Sequence, residues 1–156
     1  MLHRRFVFAT LMVLLLPLGA GAQDLGKLVT KADVEKVAGG KFDTPTKPNG
    51  GEIMFQQTGG RLQVGVELEK READASVRTW EATMKKMRPS HVVETIKGVG
   101  RDAIFHSTRA DLGALSADFD KPRVQLRVAV SGAKSPEQAR QIVTDLAKVV
   151  APRVGS

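Results

Sequence analysis

Residues 52–69 read Glu-Ile-Met-Phe-Gln-Gln-Thr-Gly-Gly-Arg-Leu-Gln-Val-Gly-Val-Glu-Leu-Glu, and this stretch decides the fold class. Two alternating runs, 52–58 and 61–69, flank Gly59-Gly60, the two-residue connection that tight hairpins favour. That turn fixes the register. Phe55 then faces Val64 and Ile53 faces Val66, so apolar meets apolar on one side. Leu62, Val64, Val66 and Leu68 share that side, while Gln63, Gly65, Glu67 and Glu69 share the other.

Working outward, Thr30 precedes Lys-Ala-Asp-Val and predicts a helix over 31–38, with Thr30 and Asp33 as a capping box. Val29 and Val34 make a hydrophobic staple, and Gly39-Gly40 supplies the left-handed stop. Residues 41–51 hold two prolines and two glycines and read as loop. After the hairpin, Ala73, Val77, Trp80, Met84 and Met87 recur on one helical face, predicting a helix over 74–87 stopped by Pro89. This stripe assigns Trp80 to the core. Residues 91–97 and 102–107 read as strands around Gly98-Val99-Gly100. A second hairpin runs 112–119 and 123–131 around Asp120-Lys121-Pro122. Ser135-Pro136-Glu137-Gln138 opens a last helix, striped by Ile142, Val143, Leu146, Val149 and Val150.

Arg61–Leu68 matches Arg123–Val130 when shifted by 62 residues, and the same shift pairs Arg78 with Arg140 and Lys86 with Lys148. Two hairpin-plus-helix halves are therefore expected as an internal repeat. The expected class is α+β: about six antiparallel strands with helices packed on one face and the other face solvated. The solvated face would carry Gln56, Gln63, Glu67, Ser116, Asp118, Gln125 and Arg127.

The N-terminus reads as an address. Arg4 and Arg5 precede an uncharged run over 6–18, and Ala20-Gly21-Ala22 then offers a small-x-small site before Gln23. This order predicts a signal peptide over 1–22, cleaved between Ala22 and Gln23, and a single domain over 23–156. An apolar run of about 13 residues is short for a bilayer span, so no transmembrane segment is expected after processing. Export ends in the periplasm or the medium. The 156-residue chain carries 42% hydrophobic and 26% charged residues, a globular balance, with a formal net charge of +7. It has no cysteine, which excludes disulfides, thiol catalysis and cysteine-ligated metal centres.

Leu28-Val-Thr-Lys-Ala-Asp-Val-Glu-Lys-Val-Ala-Gly39 and Ile96-Lys-Gly-Val-Gly-Arg-Asp-Ala-Ile-Phe105 carry a resemblance. Together they resemble small exported bacterial domains of unknown function, many of them lipoproteins. Those open with a Leu-Thr-x-x-Asp-Val helix and carry a mid-chain Gly-Val/Leu-Gly-Asp-x-Ala turn. Arg101 departs from that turn by preceding Asp102, and the cysteines of many such relatives are missing. The resemblance implies an exported α+β domain and transfers no catalytic residue.

Chemistry-bearing patterns are thin. His106 and Asp102 share a strand face about 13 Å apart, too far to share a proton. No Gly-x-Ser-x-Gly elbow occurs. Asp111, Asp118 and Asp120, around the second hairpin, read as turn aspartates and not a calcium loop, which needs six to eight oxygens. The glycine pairs lack the lysine of a phosphate loop. Glu67 and Glu69 sit about 7 Å apart along one strand face, where a solvated edge accounts for them. Lys85, Lys86 and Arg88 read as a solvated helix end. Basic residues without interleaved stacking aromatics give no reason to expect nucleic acid.

No catalytic residue, metal ligand or cofactor is expected. The leading expectation is a non-enzymatic exported domain of the cell envelope. It would bind a protein, lipid or small ligand on the polar sheet face through Gln63, Gln125 and Arg127. The alternatives are a structural subunit of an envelope assembly, and a hydrolase of envelope material using Glu67 or Asp102.

Overall fold

The computed structural model describes residues 24–47, 51–72, 75–88 and 90–156, apart from the side chain of Met87. The expected signal peptide, the Ala22–Gln23 cleavage site, Ala73 and Pro89 lie outside the described residues.

The strands are β1 (Glu52–Gln56), β2 (Gln63–Lys70), β3 (Val92–Ile96), β4 (Asp102–Arg109), β5 (Leu112–Asp120) and β6 (Arg123–Ser131). The helices are α1 (Leu25–Leu28), α2 (Lys31–Ala38), α3 (Val77–Met87) and α4 (Pro136–Val150), followed by a 3-10 turn at Ala151–Arg153. The six strands form one antiparallel sheet in the order β1-β2-β6-β5-β4-β3, so the class is α+β.

The first hairpin takes the register its sequence dictates: Phe55 pairs with Val64 and Ile53 with Val66. Gly59 turns the chain at φ 67°, and the Gly60 N–H closes the turn on the Gln57 carbonyl. Across the sheet centre Val66 pairs with Val128, and Leu115 with Val128 on the other side. These residues, with Phe55, Val64, Phe105 and Leu126, make the principal core face, and all are essentially inaccessible to solvent.

Helices α1, α2 and α4 cover that face. Thr30 Oγ1 accepts the Asp33 N–H while the Asp33 carboxylate accepts the Thr30 N–H, so α2 starts where its capping box places it. Ser135 caps α4, whose stripe of Ile142, Val143, Leu146 and Val150 is buried against β5, β6 and α2. Gly113 lets α4 come close: a Cβ there would lie 3.1 Å from that of Ala139 and 2.8 Å from the Phe105 ring.

Two expectations about the helices are corrected. Helix α3 does not join the others; it lies across the opposite face, above β4 and beside β3 and β5. The reason is legible in the strands. Ala103-Ile104-Phe105 is a continuous apolar run, the pattern of a strand buried on both faces. Phe105 enters the principal core, whereas Ile104 points the other way and is 2% exposed beneath α3, beside the equally buried Val77. The molecule therefore has three layers over the β3–β5 half of the sheet. The expected hairpin-plus-helix repeat fails for the same reason: α3 and α4 follow equivalent strands but pack on opposite faces.

The chain reaches this arrangement by a long crossover. Four successive antiparallel pairings separate β2 from β3, so the two run parallel, and the connection that contains α3 carries the chain past β6, β5 and β4 between them. The sheet edges differ. Strand β1 is flanked by bridges of Phe42 to Gln57 and Thr46 to Met54, while among the described residues β3 pairs with β4 alone. Glu94, at the middle of β3, is paired with Arg140 of α4 at 2.7 Å.

A cleft between helix α3 and the open half of the sheet

Because α3 covers only the β3–β5 half, its flank and the bare strands β2 and β6 enclose an open cleft of about 570 Å³. Trp80, Thr79 and Thr83 of α3 line one wall. Gln125 and Arg127 of β6, Ser116 of β5 and His106 of β4 make the floor, and Glu67 and Glu69 of β2 form the far wall.

A buried ionic clasp holds the helix in place. Asp118 is wholly buried, and its carboxylate accepts the Val77 N–H at 3.0 Å, in the first turn of α3. A carboxylate there also answers the positive end of the helix dipole. Gln125 Nε2 donates to Asp118 at 3.1 Å, and Arg101 reaches it at 3.5 Å. Arg71, just past β2 and itself buried, donates to the Ala75 carbonyl at 3.0 Å and to Asp120 at 2.7 Å, with its Nε 3.9 Å from Asp118. Burying such charges is tolerable only when each is met by opposite charge and hydrogen bonds. Here Arg71 ties the segment before α3 to β5, and Asp118 ties the helix itself. Gly100 completes the end of the cluster: with φ 57° it passes so close that a Cβ would collide with the Asp118 carbonyl.

Trp80 was expected in the core stripe. It is instead 38% exposed, because it sits on the flank of α3 that faces β6 and β2, where the sheet continues but the helical cover stops. Its ring meets the His106 imidazole edge to face at 4.7 Å. Burial pushes the His106 pKa down to about 4, with lesser repulsion from Arg127 and His91, so the imidazole is neutral at pH 7. On the far wall burial raises the Glu67 carboxyl, and the adjacent Glu69 raises it further; Arg127, 3.9 Å away, opposes both. Glu52, across the ladder from Glu67, adds a further negative charge.

The sequence-predicted residues divide. Gln125 and Arg127 lie in the cleft floor. Gln63 does not line the cleft; it pairs with Ser131, at the opposite end of the β2–β6 ladder from Gln125, which pairs with Glu69. The shift of 62 residues made Gln63 and Gln125 equivalent, but β2 and β6 run antiparallel, so equivalent positions diverge from Val66 and Val128. Asp118, expected on the solvated face, is sealed beneath α3. Asp102 sits on the opposite flank of α3, held by Arg78 at 2.6 Å and Arg101 at 2.9 Å. Burial alone would raise its carboxyl, but those two hydrogen bonds outweigh it and keep the pKa below the usual range.

Among the described residues no group of three or more His, Cys, Asp or Glu is placed to hold a metal ion. Among them, too, no helix is long and apolar enough to cross a membrane. No protein-family model, curated protein or solved structure matches this chain.

Proposed function

We propose that this chain is an exported, non-enzymatic domain of the cell envelope that captures a small ligand in the cleft between α3 and the sheet. One observation carries the reading: a helix fixed by a buried clasp stands beside bare strands and leaves a concave, half-polar space with an accessible indole. Preformed concavities that combine apolar walls with a few convergent polar groups are the usual form of small-molecule sites. Export is supported by the charged, apolar and small-residue order of residues 1–22. A binding role, as opposed to a hydrolytic one, is supported by the carboxylates. Asp102 is committed to two arginines outside the cleft, and Glu67 and Glu69 share one wall, so no carboxyl faces another across the space.

The test is native mass spectrometry of the protein recovered from its own host's envelope, with Trp80 emission as a second readout. The chain holds one tryptophan and no tyrosine, so its emission reports on the cleft alone. A processed chain beginning at Gln23 with added mass, whose release shifts Trp80 emission, is the expected result. A bare chain whose emission is unmoved by envelope extract overturns the ligand-binding role.

A further inference from the structure

The cleft is asymmetric, and its asymmetry specifies a ligand. Its helical wall presents the Trp80 ring. Its far wall presents two carboxyls, Glu67 and Glu69, on one face of β2. Arg127 is the cation among the lining side chains, and at 3.9 Å from Glu67 it offsets one of the two acids, leaving the cleft net negative. The histidine on its floor meets the indole edge to face and adds no positive charge at neutral pH.

Resting on the reading of the cleft as a ligand site, we propose that its ligand is a small organic cation with an apolar arm, an amine or quaternary ammonium. Its charge seats against Glu67 and Glu69 and its arm lies along Trp80. Three strand spacings, roughly 14 Å at the backbone, separate β2 from β4 beneath Trp80. Side chains lean inward from both walls, so an arm of a few carbons and a ring bridges the gap. Indole is also the aromatic face that best attracts a cation if the ligand tilts toward it. Burial and the neighbouring Glu69 raise the Glu67 carboxyl despite Arg127, and a cation bound between the two acids relieves that crowding.

The experiment titrates the full processed chain at pH 7 with three probes of equal length: 4-phenylbutylamine, 4-phenylbutanol and 4-phenylbutyrate. Trp80 emission is the readout. The amine is expected to bind at least tenfold more tightly than the other two, and to weaken at least tenfold in the Glu67→Gln/Glu69→Gln variant. Glu69→Gln alone, on an exposed side chain, is the second variant should the double one fold poorly; it is expected to weaken the amine severalfold. Equal binding of the alcohol would assign the cleft to apolar ligands, and preferential binding of the carboxylate would assign it to Arg127. Either result overturns the cationic class while leaving the cleft as a binding site. Binding of none of the three also overturns it, and the host-derived ligand then decides separately whether the cleft binds at all.

Discussion

The carboxylate of Asp118 accepts the backbone N–H of Val77 at 3.0 Å from a site closed to solvent, so a β5 side chain fixes the first turn of α3. One bond thus joins the ionic clasp to the wall of the cleft.

Removing that carboxylate should loosen the wall before it unfolds the sheet. Asp118→Ala leaves the buried Arg71 without its full complement of negative charge, a class of change that costs about 3–5 kcal/mol. Urea denaturation should show this loss. Hydrogen exchange should place the largest early gain at the α3 amides, with β5–β6 protection falling only with global stability.

Acid should be felt first at His106. Its pKa is about 4 when folded and near 6.5 when free, so the unfolded chain takes up the proton first. The stability due to the neutral imidazole is present above about pH 6.5 and drains away as pH falls toward 4. His106→Asn should flatten that part of the stability profile. Trp80 emission in the native protein should change with a midpoint near pH 4 and lose the change in the same variant.

The approach of α4 to the sheet depends on a missing side chain. Gly113→Ala drives a methyl into the Phe105 ring and Ala139. Overpacking of this kind costs about 1–3 kcal/mol. Calorimetry should show a lower Tm with the fold retained, and Gly113→Val should do more damage.

At the C-terminal turn, Arg153 donates two hydrogen bonds to Asp33, at 2.7 and 3.0 Å. Those bonds, opposed by burial and helped by Thr30, hold the Asp33 pKa at about 2. The stability they supply is present above about pH 4 and lost as pH falls through 2. Arg153→Ala should raise the Asp33 pKa toward the ordinary range, measurable by NMR titration, and cost about 1 kcal/mol at neutral pH.

What the chain reveals in advance is local. The Phe55–Val64 and Ile53–Val66 pairings, the Thr30–Asp33 box, the bounds of β6 and the start of α4 depend on neighbours in sequence. They appear in the fold as the residues dictate. The site was only half legible because it is made by a long-range choice, the face on which α3 lands. Nothing in the stripe of Val77, Trp80 and Met84 says which side of a sheet it will cover. The available signal lay elsewhere, in the unbroken run Ala103-Ile104-Phe105, which demands cover on both faces. Taken with the antiparallel sense of β2 and β6, that run accounts for three shifts of expectation: Trp80 moves outward, Asp118 moves inward, and Gln63 falls outside the cleft.

The outer edge of β3, which no other described strand joins, bears on behaviour in concentrated solution. An exposed strand is a template for chain-to-chain addition and hence for fibres. Two copies joining antiparallel through Val92–Ile96, centred in register, would set Glu94 against Glu94 and compete with the Arg140 contact each already makes. Like charges directly opposed destabilise such a pairing. A single acid at the middle of a five-residue strand thus guards the open side of the sheet against polymerisation.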